Sequence, residues 1–456
     1  MINSYLENSE NKLSAQILSS SQNIGFMGSN ILGSGFILDF EESKRLIRSN
    51  PKNKNVIYAF LNADDINNSP TQSPSRSIIN FSDWSLEYCK KEYPDCLNIL
   101  KERVKPERDR VNRATYRDNW WHYAEKAISL YKAIKPLKQY LVVPFTTKYL
   151  SFTFKTGNIV ISHAGGAIAF EDYKSFSLIS NTFHEQWAWL QSSTMGGNTL
   201  RYTPSSALAT FPFPQNLNLQ QIQKLDSIGE SYHEHRRQLM LSMQLGLTKT
   251  YNLFHSRGIT ATQVDESDKQ VMSLRKHLEN TPGTVTFEKA IEGIRKLRQL
   301  HVEMDEAVLE AYGWSNNPVP ERSRRAGDSA LSNGPSTSSG AGKDVSVTGI
   351  DLRHDFYDVD YQPENDRVRY TIHPEARKEV LKRLLALNHQ IHEEEVKAGL
   401  WEKKGKAATA TVEGQEETES ADIGKRAKKT RKAEPAAPKR GRGRPKKGTG
   451  TGELEF

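Results

Sequence analysis

Cysteine is nearly absent: Cys89 and Cys96 are the only two in 456 residues. Two thiols supply neither a four-cysteine zinc site nor a disulfide framework, and their scarcity fits a reducing cytoplasm. Long apolar runs are missing as well. No stretch approaches the roughly 20 residues that span a bilayer. Residues 1–30 carry acids, Asn and Ser in place of a basic start and a greasy core. The expectation is a cytoplasmic chain that is neither secreted nor membrane-spanning. No Pro-Pro pair occurs anywhere, and no internal repeat is apparent. What is present is ample: with 36% hydrophobic residues, this length supports two or three domains with substantial cores.

Positive charge is also missing from most of a chain whose net charge is +8. Residues 424–450 hold twelve Lys or Arg against Glu434 alone, a local +11 that leaves −3 for the remainder. The basicity belongs to a tail that a polyanion would bind, and overall charge says little about the folded part.

The stretch from Thr199 to Pro214 divides the chain, with short β-rich, aromatic segments before it and long amphipathic helices after it. Pro212 and Pro214 lack amide donors and push Phe211 and Phe213 out of the α region, so an extended crossing remains. It reads equally as a rigid linker with apolar anchors. Upstream, residues 43–50 read as a helix stopped by Pro51, residues 55–61 and 78–81 as strands, and residues 67–76 as a turn-rich loop. From Tyr140 the pattern is β, and residues 150–162, turning at 155–158, read as a hairpin. Phe176 to Leu190 returns to helical spacing, and residues 191–198 read as a polar loop. Downstream, Leu225, Tyr232, Leu239 and Met243 form one apolar stripe and Ile291, Leu297, His301, Met304 and Val308 another. A last helix starts at Pro374.

Several arrangements invite a chemical reading. Gly33-Ser-Gly35 has the form of a turn that cradles an adenosyl cofactor, but it also fits a plain structural turn, and the Asn/Asp-Pro-Pro-aromatic segment of amino methylation is missing. Pro94-Asp95 with Glu102 and Lys105 has the residue types of a nuclease metal centre. That chemistry places Glu and Lys two apart on one strand face, whereas here the spacing is three in a helical context. His163 and His184 lack a neighbouring carboxylate–histidine constellation for a metal. The charged run from Lys101 to Arg117 ahead of Trp120-Trp121 suits either a nucleic-acid backbone or a charged helix capped by core aromatics.

An ordered set of short motifs goes further. It runs through Gly33-Ser-Gly-Phe-Ile-Leu38, Asn50-Pro-Lys-Asn-Lys54, Ser73-Pro-Ser-Arg76, Val104-Lys-Pro-Glu-Arg108, Leu200-Arg-Tyr-Thr-Pro-Ser205 and Phe211-Pro-Phe-Pro214. It continues through Tyr232-His-Glu-His-Arg-Arg237, Gly246-Leu-Thr-Lys-Thr-Tyr-Asn252, Leu300-His-Val-Glu-Met-Asp305 and Tyr312-Gly-Trp314. Over roughly residues 21–400 this set resembles the C-terminal half of the MmeI-like single-chain restriction and modification enzymes, which join a nuclease, an adenine-specific DNA methyltransferase and a target recognition domain. The resemblance implies a lead-in over 1–20, a target recognition domain over 21–215 and a C-terminal helical domain over 216–400. It also implies the DNA sequence-recognition portion of such an enzyme, without its catalytic motifs. S-adenosylmethionine and Mg would belong to the missing catalytic part, with no cofactor in this chain. The implied partners are double-stranded DNA and a separate methyltransferase or nuclease polypeptide.

The fold class expected is α+β, a mixed, mostly antiparallel recognition domain followed by helices, with disorder over 316–343 and in a basic tail over 401–456. Within that tail, residues 438–447 include Arg440 and the core Arg442-Gly443-Arg444-Pro445 of an AT-hook. A Gly between two Arg lets an extended backbone lie in a narrow A·T-rich minor groove. The alternative to a recognition portion is thus a stand-alone DNA-binding protein that uses its hook. In the recognition domain, loop chemistry singles out Arg76, Lys148, Lys155, Ser193, Asn198 and Arg201, since Arg and Lys read guanine and Asn reads adenine. No catalytic or metal-ligating residue is assigned.

Overall fold

The computed structural model describes residues 14–196, 199–315 and 349–401. Asn198, the 316–343 insertion and the tail with its hook motif lie outside the described residues.

Strands β1 (Gly25–Met27) and β2 (Ile37–Leu38) lead into α1 (Phe40–Ser49). This helix starts where Asp39 accepts the Glu42 amide and ends ahead of Pro51. β3 (Ile57–Leu61) precedes α2 (Ala63–Asn68), which opens on a reciprocal cap between Asn62 and Asp65, and then comes β4 (Arg76–Ile79). The charged stretch folds as α3 (Leu86–Glu92), α4 (Pro94–Arg103), α5 (Lys105–Arg108) and α6 (Ala114–Asp118), followed by α7 (Ile128–Ile134). Next come β5 (Tyr140–Pro144), β6 (Thr146–Thr147), β7 (Thr153–Lys155), β8 (Ile159–Ile161) and β9 (Gly165–Ile168). α8 (Tyr173–Ile179) and α9 (Thr182–Gln191) lead to β10 (Ser193–Met195) and β11 (Thr199–Arg201). Beyond the Phe-Pro segment lie α10 (Leu219–Met243), α11 (Leu247–Phe254), α12 (Lys269–Asn280) and α13 (Phe287–Ala311). A hairpin of β12 (Asp355–Asp358) and β13 (Val368–Thr371) precedes α14 (Pro374–Lys397).

The fold is α+β, and its sheets are mixed and mostly antiparallel. Their strand orders are β1-β9-β5-β7, β2-β4-β3-β8 and β10-β11-β6, and among these strands β3 and β8 pair in parallel. Two local expectations fail. The hairpin over residues 150–162 does not form: Lys155 pairs with Tyr140, while Ile159 pairs with Ala59 in another sheet. Gly157 does turn the chain, with φ +78°, but Phe152 and Val160 belong to different interiors, so burial separates the strands that the turn would have joined. Within the expected polar loop at 191–198, residues 193–195 form a strand, because β10 pairs with β11 and β6, distant in sequence, anchors the pair.

One interior crosses the Phe-Pro segment. Leu141, Val143, Ile168 and Phe176 from its N-terminal side pack with Tyr232, Leu239, Ile291 and Leu297 from its C-terminal side. Gly229 permits the close approach of α10 to α8, since a Cβ there would lie 2.4 Å from the Tyr173 carbonyl oxygen. The crossing itself is buried at Phe211, Pro212 and Pro214, with the Phe211 ring edge-on to His184 at 4.5 Å. The described residues up to Leu400 form one compact unit. No helix among the described residues is long and apolar enough to cross a membrane.

Candidate nucleic-acid interface

The sheet of β6, β10 and β11 separates its side chains by register. Ser193 stands opposite Arg201, Met195 opposite Thr199, and Arg201 opposite Thr146, so these five share one face. Ser193, Met195, Arg201 and Thr146 are exposed on it. The other face turns Leu200 and Thr147 into the protein. The sheet's β10–β11 pair is a two-stranded antiparallel ribbon, a width that a DNA major groove admits. Among the described residues the Arg201 side chain has no hydrogen bond or ion pair, so its guanidinium is free to make a bidentate contact. Met195 is 55% exposed, an apolar group at the ribbon's outer end whose sulfur lies 3.9 Å from the Thr146 hydroxyl.

Of the residues chosen by loop chemistry, Ser193, Arg201 and Lys148 come together at this sheet. Lys148 follows β6, and its amine is held by Asp366 at 2.9 Å and Asn252 at 3.2 Å. Asn198 precedes β11 in the sequence and lies outside the described residues. Arg76 opens β4 in a different sheet, its guanidinium 5.7 Å from the Phe60 ring centre. Lys155 ends β7 in the third sheet, where burial and the nearby Arg236 push its ammonium down to about 8 against the pull of Asp65. The end of α2 borders the ribbon, because Thr147 donates to the Asn67 side chain at 3.2 Å. Thr146, which completes the outward face, was not singled out by sequence; β-propensity in Phe-Thr-Thr was the signal available.

Two other constellations fall short of a reaction site. Thr182, His301, Asp305 and His354 form a buried network: Asp305 accepts the Thr182 amide at 2.8 Å and His354 Nε2 at 2.8 Å, and Thr182 Oγ1 lies 3.0 Å from His301. Burial would raise the Asp305 carboxyl, but the two imidazoles and the Thr182 hydroxyl outweigh it and hold it low. The types match a nucleophile–base–carboxylate set, yet Thr182 is 1% exposed and its hydroxyl bonds straight to the carboxylate, so the network ties the 350–354 segment to α9 and α13. The i,i+4 pair His301 and Asp305 was its visible signal in sequence. Nearby, a cavity of about 20 Å³ lined by Ser180, Glu185, His255 and His301 has room for one water.

The glycine turn does not fit an adenosyl cofactor. A Cβ at Gly35 would lie 2.5 Å from that of Arg103, so α4 closes over the turn and glycine serves that close approach. Nor do Asp95, Glu102 and Lys105 assemble: Asp95 receives the Asn53 amide at 3.4 Å, and Lys105 pairs with Asp109 at 2.8 Å.

Comparison with known proteins gives a structural likeness. The solved structure of the Type IIL restriction-modification enzyme MmeI in complex with DNA is similar over 69% of this chain and 35% of that one, with 18% identical residues and a TM-score of 0.46. The chain spans about a third of the length of that structure. No family model and no curated protein matches the chain.

Proposed function

We propose that this chain is the DNA sequence-recognition portion of an adenine-specific restriction-modification system, and that the β6–β10–β11 face reads bases in the major groove. The observation that carries this reading is the outward row Ser193, Arg201 and Thr146, with Arg201 unpaired among the described residues. The ordered motif set supports it from the sequence. Arg201 is assigned to guanine, Asn198 to adenine, and Ser193 to either. Lys148, Arg76 and Lys155 are assigned to phosphate positioning. In this reading the chain acts in the cytoplasm on nucleoid DNA, and a separate polypeptide supplies the methyl and phosphodiester chemistry.

Selection of duplexes from a random library by the purified chain tests the reading: enrichment of one short sequence is expected. Absence of any enriched sequence, together with no association with a separately expressed adenine methyltransferase from the same system, would overturn it.

A second reading is favoured by the Arg442-Gly443-Arg444-Pro445 core alone. There the protein is a stand-alone A·T-groove binder, and A·T-biased binding survives removal of residues 1–400. Replacing Arg442 and Arg444 with Lys keeps charge while removing the weakly hydrated guanidiniums. Equal losses on A·T-rich and G·C-rich duplexes would reduce the hook to a polycation.

A further inference from the structure

Between Ser43 and Tyr58 the chain has basic residues at Lys44, Arg45, Arg48, Lys52 and Lys54 and no acid. The fold gathers this imbalance onto one surface. On α1, Leu46 and Ile47 are half-buried, while Arg45 and Arg48 are exposed and have no hydrogen bond or ion pair among the described residues. In the 3-10 turn Pro51–Asn55, Asn53 is drawn completely inside, its amide donating to the Leu46 carbonyl at 2.9 Å, which leaves Lys52 and Lys54 exposed on either side of it. The end of α3 adds exposed Lys90 and Lys91. Glu92 joins the two elements, 2.5 Å from Lys52 and 4.0 Å from Lys91. Beside the six bases Arg45, Arg48, Lys52, Lys54, Lys90 and Lys91, α3 and the start of α4 supply Glu87, Glu92 and Asp95, and Asp95 is engaged by Asn53. Glu41 and Glu42, at the start of α1, are taken by Lys44 and Arg103.

The aromatics beside this surface narrow its partner. Trp84 stacks on Tyr93 with centroids 5.4 Å apart and planes 8° from parallel, and Tyr88 packs edge-on to Trp84 at 5.2 Å. Trp84 and Tyr93 are closed on one another and Tyr88, 45% exposed, is edge-on to both, so the stacked pair leaves no gap between its rings for an unstacked base. Such a surface fits a regular row of phosphates.

We infer that the surface of α1, the 51–55 turn and α3 is a sequence-independent contact for the phosphate backbone of duplex DNA, a second point of attachment beside the reading ribbon. The inference rests on the proposed DNA-binding role, and it adds that orientation on the duplex is set by elements that read no base.

The test replaces the four unpaired cations in the full-length chain, Arg45→Gln, Arg48→Gln, Lys54→Gln and Lys90→Gln, and titrates salt with two probes, a mixed-sequence duplex and a duplex selected by the parent chain. Affinity is expected to fall by the same factor on both, about tenfold or more. The slope of log K against log salt becomes shallower by roughly 0.9 for each phosphate that the variant no longer neutralises. The set Arg45→Lys, Arg48→Lys, Lys54→Arg and Lys90→Arg keeps the parental slope, and an unchanged melting temperature shows that the exposed substitutions leave the fold intact. An unchanged slope in the Gln variant, with sequence preference retained, overturns the inference and leaves the recognition reading standing. A loss confined to the selected duplex also overturns it, since the surface would then discriminate sequence. A parent chain that selects no sequence but shows the slope change keeps the phosphate surface and rejects the recognition reading.

Discussion

Arg201 and Arg236 stand on opposite sides of the Phe-Pro segment, each inside a short motif of similar polarity, and they do opposite things. Arg201 lies on the outward face of a ribbon with its guanidinium unengaged among the described residues. Arg236 is 1% exposed. It donates to the Ser151 hydroxyl at 2.6 Å and to the Phe152 carbonyl, and it sits against the Phe176 and Tyr232 rings. Arg298 on α13 goes further, donating to the carbonyls of Leu253, Phe254, Ser256 and Ile259 and so satisfying the end of α11. Burial pushes its guanidinium down to about 10. In the helical half these two arginines are spent on buried oxygens of the protein itself. At the ribbon the inward position is apolar, at Leu200, and the cation is left for a partner.

The comparison breaks most visibly if an interior arginine is removed. Arg298→Ala strips the guanidinium from the buried Phe254 and Ile259 carbonyls and removes a second donor from those of Leu253 and Ser256, and it is expected to cost on the order of 3 kcal/mol in urea unfolding. Arg201→Ala should leave that unfolding curve in place. A comparable loss for Arg201 would mean that the ribbon cation also serves the fold.

On the binding side, Arg201→Ala is expected to cost about 1–3 kcal/mol on the selected duplex and little on mixed-sequence DNA. Equal losses on both probes would demote Arg201 to a phosphate contact.

The interior also excludes protons, which the ribbon does not. Burial pushes the imidazole of His184 down to about 3, and burial reinforced by Arg236 does the same to His233. The unfolded chain binds protons near pH 6.5 that the folded chain refuses, so stability falls as pH drops from about 6.5 toward 3. The slope is up to about 1.4 kcal/mol per pH unit for each such histidine. In urea unfolding between neutral pH and pH about 4.5, His184→Gln should flatten the curve by one histidine's share. An unchanged slope would show that His184 is not held neutral.

The smallest effect belongs to Lys155, between the two regimes. Its folded value lies below its unfolded one, so the penalty for its charge is fully present below pH about 8 and is relieved as pH rises toward about 10.4. Lys155→Met should raise the melting temperature slightly at neutral pH, a gain that vanishes by about pH 10. A gain that persists there would come from packing instead of charge.

Much of the architecture was legible in periodicity and caps. The stripe Ile291, Ile294, Leu297, His301, Met304 and Val308 is buried along α13, and Pro374 opens α14. β-Strands were legible one at a time but not in pairs. Residues 153–155 and 159–161 have the composition of a hairpin, and their assignment to different sheets depends on Tyr140 and Ala59, which are remote in sequence. The ribbon was missed for the same reason. Ser193-Thr-Met and Thr199-Leu-Arg carry a single inward apolar residue, and the pairing that makes them strands includes Thr146 and Thr147. Ser193, Arg201 and Lys148 were chosen as separate loop residues and were found on one sheet, while the same reasoning chose Lys155, which a different sheet half-buries.

By itself the sequence determined the local matters: which segments are helical, where Asp39, Asn62 and Pro374 start helices, that Phe-Pro-Phe-Pro is extended, and that the tail is cationic. These follow from dihedral limits, capping bonds and charge, each of which acts over a few residues. Tertiary structure alone decided which arginines are buried and which are free, because that depends on where unsatisfied carbonyls and apolar faces from distant segments meet. Arg236 finds Ser151 and Phe152, Arg298 finds the end of α11, and Arg201, opposite Ser193 and Thr146, finds only solvent among the described residues.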